Sequence, residues 1–347
     1  MIQKTLTMAA IMAIALCYSK PASAEINNTN EEFNWLTSRQ EDDLRSARRV
    51  FLSNCPDTKT QDWQNLCAIA VNQTNTRHFL EMFFHPALVR FVTLGVFTGY
   101  FEPELDGGLQ PSKWFQYPTY KTPPNLSKGR PWLTRRQVGA ENALASQGLE
   151  IAWVDDPVEF FFLQIQGSAR VLLPSGELIR LGYGCYNGRS YKSLGAELVR
   201  RGIYDHHKVA VQVIQNWVKY HPIAGQNLLR HSPGYLLFLG IPDLPAHKGP
   251  REDRNWSLTS IRSLAVDPKF VPLGAPVWLE KKGKKLLNRL MVAQDTESVI
   301  KGPQRGDISI GAGLEVGRAV AKIKDCGRMS VLLPIQRAYA ALLEQGR

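Results

Sequence analysis

The chain has 347 residues, 44% of them hydrophobic and 21% charged, and a formal net charge of +11. That length and balance describe a globular protein of about two domains with enough apolar residues for its own core. No dense Lys/Arg block and no nucleic-acid motif occurs, so the charge excludes nucleic acid as the natural reading and suits an anionic partner such as acidic polysaccharide, cell wall or membrane surface.

Residues 1–24 read as a secretory signal peptide. Lys4 opens it, Leu6 to Cys17 is a short apolar run, and Ala22-Ser23-Ala24 fits the small-residue cleavage pattern. The run is too short to span a bilayer. Leu16 stands before Cys17 where a lipoprotein signal needs a small residue, so no lipid anchor is expected. Cleavage removes two lysines and no acid, leaving the positive excess in place.

Cys55, Cys67, Cys185 and Cys326 then remain. Outside the cytosol they can pair. Cys55 and Cys67 lie in or beside two helical stretches, close enough for a local disulfide, but four cysteines allow three connectivities and spacing does not choose. The histidines show no ligand spacing, so no metal is expected.

A capping box, Ser38-x-x-Glu41, opens an amphipathic helix over about 39–53, with Leu44, Ala47 and Phe51 at helical spacing. Further helices are predicted over Gln61 to Val71 and Thr76 to Phe84. Leu88 to Phe101 is β-branched and aromatic and reads as strand. Glu102 to Lys128, rich in Pro, Gly and aromatic residues, marks a crossing into a second region. Thr134-x-x-Gln137 caps a helix that Gly148 ends. Phe160 to Gln166, Ala169 to Pro174 and a segment through Leu181 read as three strands. Helices follow near Ser190–Arg201 and Lys208–Tyr220. After the polar connection from Pro242 to Arg254 come short strands at Leu264–Val266, Pro276–Glu280, Arg289–Gln294, Ala319–Ile323 and Met329–Leu333. A helix from Ile335 to Leu343 closes the chain. The pattern is mainly β with peripheral helices and favours closed barrels over an open parallel sheet.

Gly311-x-Gly313-x-x-x-Gly317 lacks the βα start and the acidic partner of a dinucleotide site. No Gly-x-Ser-x-Gly occurs. Cys185 and Cys326 fit disulfide or buried thiol better than nucleophile in this compartment. Carboxylates are the better candidates: Glu102, Glu104, Asp106, Asp155, Asp156, Glu159, Asp267, Asp295 and Asp307 all lie near turns or strand ends. Leu290 to Gly313 stands out among these segments. Its apolar start delivers Asp295, and Asp307 follows between Gly306 and Ile308 in a glycine-rich stretch. A carboxylate between apolar strand and loop has restricted water, which raises its pKa toward that of a general acid. Ordinary turn chemistry would also place Asp beside Gly.

Five segments resemble the membrane-bound lytic murein transglycosylase A family, in order, over roughly residues 90–335. They are Phe97-Thr-Gly-Tyr-Phe-Glu-Pro, Phe162-Leu-Gln-Ile-Gln-Gly-Ser, Asn187-Gly-Arg-Ser-Tyr-Lys-Ser-Leu-Gly, Ala265-Val-Asp-Pro-Lys-Phe-Val-Pro-Leu-Gly and Leu290 through Gly313. The resemblance implies a double-psi β-barrel domain, 25–104 plus 255–347, interrupted by an inserted β-barrel domain, 105–254, with a glycan groove between them. It implies cleavage of the MurNAc-GlcNAc β-1,4 bond of peptidoglycan without water, leaving 1,6-anhydro-MurNAc ends, and no cofactor. Asp307 takes the place of the family's catalytic aspartate and Asp295 that of a supporting one. Thr98 and Tyr100 would line the groove, and Gln166, Gly167 and Ser168 would hydrogen-bond sugar from a groove-facing strand. Asp267 reads as a turn residue.

Where the family has Asp-Thr-Gly-Gly, this chain has Asp295-Thr-Glu-Ser. Glu297 and Ser298 lose the freedom of two glycines, and a charge at Glu297 would raise the pKa of Asp307. Two other functions remain open at this stage: a hydrolytic glycosidase using Asp307 with Asp295, and a non-catalytic peptidoglycan-binding protein with this loop disabled. The expected setting is the periplasm, with association to the outer membrane or to cell-wall machinery, and a monomeric enzyme acting on glycan strands.

Overall fold

The computed structural model describes residues 42–88, 95–124, 126, 130–242, 244, 248–250, 256–283, 286–297, 300–313, 316, 317, 320 and 323–345, with side chains to residue 340. The signal peptide, the Ser38/Glu41 capping box and Ser298 lie outside these residues.

Helices α1 (Leu44–Ser53), α2 (Gln61–Asn72) and α3 (Thr76–Phe83) lead into strands β1 (Phe84–Leu88) and β2 (Gly95–Glu102). Next come β3 (Glu104–Gly108), β4 (Tyr117–Tyr120), α4 (Arg135–Gly139), β5 (Glu150–Val154), α5 (Pro157–Gln166), β6 (Ala169–Leu172) and β7 (Leu178–Tyr186). Helices α6 (Leu194–Arg200), α7 (Val211–Tyr220) and α8 (Pro222–Leu229) precede β8 (Leu236–Gly240). The last stretch holds β9 (Ser263–Val266), β10 (Pro276–Lys281), β11 (Leu287–Asp295), β12 (Arg305–Ala312), β13 (Lys324–Pro334) and α9 (Ile335–Gln345). The fold divides into two compact units: one comprises Glu102–Pro250 with Ala312 and Gly313, and the other runs up to Phe101 and resumes over Arg251–Gly311 and from Glu315 on.

The split unit is a closed barrel. Its strands follow the order β13, β10, β11, β9, β12, β2, and β2 pairs back onto β13; β1 adds outside β13. Strands β9 and β10 are buried at almost every position, as expected where the barrel interior fills one face and helices cover the other. Gly95 admits the Gln304 backbone, whose carbonyl oxygen would lie 2.3 Å from an added Cβ. Helices α1 to α3 bury Phe51, Trp63 and Phe79 against Phe84 of β1, with ring centroids 5.5–6.2 Å apart. Such aromatic pairs add about 1 kcal/mol each beyond the area they bury. The entry to α1 is fixed by a buried fork: Arg262 donates to both Asp42 oxygens at 2.8 and 2.6 Å, and Asp42 accepts the Leu290 amide at 2.7 Å. The local disulfide forms between Cys55 and Cys67.

The inserted unit holds a six-stranded sheet in the order β4, β5, β3, β6, β7, β8, and a bridge between Lys121 and Phe238 brings its two edges together. Leu105, Val154, Leu163, Val171, Leu181 and Phe238 fill it. Helices α5 to α8 form a second cluster around Phe161, Leu198, Trp217 and Leu228. Glu102 is taken up by a buried ion cluster, accepting from Arg170 Nε at 2.7 Å and pairing with Arg180 Nη2 at 2.9 Å. It is therefore a structural acid within this unit.

Several expected elements change. Phe160 to Gln166 is helix, not strand: Asp156 accepts the Val158 and Glu159 amides, Pro157 sits in the first turn, and Gly167 ends the helix at φ +95°. The segment is apolar all round because Phe160 and Leu163 pack into the barrel core while Phe161 packs into the helical cluster. Of the segment expected as strand over Ala319–Ile323, Val320 is helical and Ile323 belongs to no strand, while residues 319, 321 and 322 lie outside the described residues. The helix capped by Thr134 stops at Gly139, well before Gly148. The mainly β fold with one barrel interrupting another agrees with expectation.

Candidate active site

Asp295 and Asp307 come together through strand register. On β12, Asp307 stands opposite Ala265 of β9; on β11, Asp295 stands opposite the same Ala265. Residues in register across a sheet project from the same face. A bulge between Ala293 and Asp295 produces this match, since regular pairing would set Gln294 against Ala265. Bulges re-aim side chains in this way. The displaced Gln294 is fully buried and donates to Asn54 Oδ1 at 2.6 Å, while its Oε1 accepts the Ser263 hydroxyl.

Asp307 is therefore on a strand, not in the glycine-rich loop its sequence neighbours predicted. Gly306 before it faces Leu264 and Phe97, where a side chain would press at 3.1 Å. Asp307 is buried, and Thr98 Oγ1 of β2 donates to its Oδ1 at 2.7 Å. Arg305, two residues earlier on β12 and so on the same face, donates from Nη2 to Thr98 Oγ1 at 2.9 Å. Its Nη1 donates to the Gly306 carbonyl at 2.6 Å and to the Val96 carbonyl at 3.2 Å. Burial raises the Asp307 pKa to about 6; the Thr98 hydrogen bond, the Arg305 charge and the Ile308 amide hold it down, and Asp295 pushes it up. Asp295 is buried too, and its Oδ1 accepts the Thr296 amide at 2.8 Å.

Tyr100 follows Thr98 by two positions, on the same face of β2. Gln166, Gly167 and Ser168 belong to the other unit and not to a strand. Gln166 ends α5 exposed, Gly167 caps it with its amide on Leu163 O at 3.0 Å, and Ser168 is buried. Asp267 does form a turn: it accepts the Lys269 amide at 3.2 Å and the Gly302 amide at 2.9 Å, anchoring the loop between β11 and β12. Sequence reasoning missed Arg305 and Gln294. An Arg-x-Asp pair on a strand signals one shared face, but the glycines around it read as loop; the bulge leaves no trace in composition.

Two family models match the chain: the MltA specific insert domain over residues 96–239 and the 3D domain over residues 262–333. The lytic transglycosylase LtgG of Burkholderia pseudomallei is 34% identical, with 93% of this chain and 98% of that chain covered and a TM-score of 0.62. The chain belongs to the lytic murein transglycosylase A family. MltA from Neisseria gonorrhoeae, in its monoclinic form, is 28% identical with a TM-score of 0.76, covering 84% of this chain and 88% of that one. The membrane-bound lytic murein transglycosylase A of Escherichia coli (strain K12) is 30% identical over 68% of this chain. The chain spans 64–65% of the length of the curated relatives from Vibrio cholerae and E. coli. This chain carries Glu297 at a position where the family resemblance leads one to expect glycine. Burial lowers the pKa of Arg305, and the charges of Asp307 and then Glu297 oppose that fall. Among the described residues no helix is long and apolar enough to cross a membrane.

Proposed function

We propose that this protein is a peptidoglycan lytic transglycosylase in which Asp307 is the single acid and base. One observation carries the reading: a buried carboxyl on a barrel face, with its pKa raised to about 6, held by Thr98 and set in register with a second carboxylate. In its neutral form Asp307 protonates the oxygen leaving C1 of the muramic residue. The C1–O bond breaks and Asp307 becomes a carboxylate. That carboxylate then takes the proton of the C6 hydroxyl as O6 bonds to C1, closing the 1,6-anhydro ring and restoring the acid. No water is consumed, and the intramolecular attack needs no second nucleophile held by the protein. Asp295 supports the step by favouring the protonated form of Asp307.

Thr98 and Tyr100 line the sugar site of the split unit, and Gln166, Gly167 and Ser168 of the inserted unit hydrogen-bond sugar. The domains divide as 25–104 plus 255–347 for catalysis and 105–254 for substrate binding. The enzyme acts in the periplasm after signal cleavage, as a monomer on glycan strands, and associates with outer membrane or cell-wall machinery. Purified protein incubated with peptidoglycan sacculi should release muropeptides, and Asp307→Asn should lower the release by about 10²–10⁴-fold or more. Sacculi bound but left intact by the unaltered protein would reject the enzyme reading.

A further inference from the structure

Arg305 touches no reacting atom in the scheme above, yet it fixes the direction of the hydrogen bonds that end on Asp307. A guanidinium can only donate. Thr98 Oγ1 therefore receives the Arg305 N–H at 2.9 Å and must point its single proton elsewhere; Asp307 Oδ1 lies 2.7 Å away. In the acid form, an oxygen that accepts a hydrogen bond in this way is the carbonyl oxygen of the carboxyl group. The acidic proton is left to Oδ2. The guanidinium is itself immobilised by the Val96 and Gly306 carbonyls, so it cannot swing away from Thr98.

We infer that Arg305 is a positioning residue that polarises Thr98 so that Asp307 holds its proton on Oδ2, free for the glycosidic oxygen. Without it, the Thr98 hydroxyl can turn round and accept the Asp307 proton, trapping it inside the barrel wall. The inference rests on Asp307 being the proton carrier. The charged groups acting on Asp307 are Arg305 on its own strand and Asp295 on β11, while Thr98 comes from β2 and Ala265 of β9 adds no charge. Glu297 acts one step further out, on Arg305. This chain thereby carries a modulating charge where its relatives are expected to have glycine.

The test is the pH profile of muropeptide release by Arg305→Met, Arg305→Lys, Thr98→Val and the double variant Arg305→Met/Thr98→Val, with Asp307→Asn alongside. Arg305→Met should lose about tenfold or more in rate, and its alkaline limb should move to higher pH because a positive charge that favours the carboxylate is gone. Arg305→Lys should keep the wild-type limb and recover part of the rate. Thr98→Val should also lose rate, and the double variant should be no slower than the worse single one, since both act through one chain. Additive losses, an unmoved alkaline limb in Arg305→Met, or equal loss in Arg305→Lys would each overturn the positioning role. Should Arg305→Met not fold, Thr98→Val decides: wild-type rate and limb would overturn the inference. Full activity in Asp307→Asn would instead remove the underlying assignment of the proton carrier.

Discussion

Asp295 and Asp307 face each other across a single residue: both stand in register with Ala265, one on each strand flanking β9. Asp307 follows Asp295 by twelve positions along the chain, and the barrel returns them to one face. This relationship makes the two acids unequal. Asp307 is held by Thr98 and sits beside Arg305, whereas Asp295 binds the amide of its neighbour Thr296.

The charge of Asp295 helps to raise the Asp307 pKa. Asp295→Asn should therefore lower it. The proton that starts the reaction would be lost at lower pH, so the alkaline limb of the activity profile should move down from near pH 6. A pH-rate profile of the variant checks this; a limb that stays or moves up would show that Asp295 does not act electrostatically.

Gln294 is the residue that the bulge turns away, and its amide is anchored to Asn54 and Ser263. Gln294→Ala removes both contacts from a buried site and should cost about 1–3 kcal/mol. It should also reduce activity with the fold retained, because Asp295 then loses its fixed register. Denaturant unfolding paired with muropeptide release measures both effects. A variant equally stable and equally active would reject the anchor.

Burying Asp307 has a cost that stability measurements can read. Its folded pKa of about 6 lies above the ordinary 3.8. Between these values the unfolded chain has already released the proton that the folded chain keeps, so stability falls as pH rises through that window. Asp307→Asn should abolish the loss and stabilise the protein at neutral pH by about 2–3 kcal/mol. At pH 3 the gain should vanish. An Asn variant that is less stable at neutral pH would contradict the raised pKa.

Much of this site was legible in the sequence, and the reason is chemical. Asp295 at the end of an apolar run is a strand terminus in both readings. Thr98 was singled out by its segment and does meet Asp307. The strand carrying Asp307 was missed because Gly306, Gly311 and Gly313 imitate a loop, while Gly306 in fact lets β12 pack against Phe97 and Leu264. Phe160 to Gln166 reads as strand in the sequence because a short apolar run gives no period. Its Asp156 and Pro157 were the readable signals of a helix start. The bulge at Gln294 depends on pairing between strands distant in sequence, and no local pattern encodes it.

Cys55 and Cys67 close a short loop between α1 and α2, which pack on the barrel. Replacing both by Ala should lower stability by about 3 kcal/mol, through greater freedom of the unfolded chain. Unfolding of the variant without reductant, and of the native protein with and without it, measures this. An unchanged midpoint in all three would mean the bond does not form in solution.

Cleavage of glycan by Asp307 without water is the step on which the proposed function turns. Peptidoglycan digested by the purified enzyme in ¹⁸O-labelled water tests it directly, with the products read by mass spectrometry. The expected products are 1,6-anhydro-muropeptides carrying no ¹⁸O, formed by the native enzyme and absent with Asp307→Asn. Reducing-end muropeptides that carry one ¹⁸O would contradict it and identify a hydrolase.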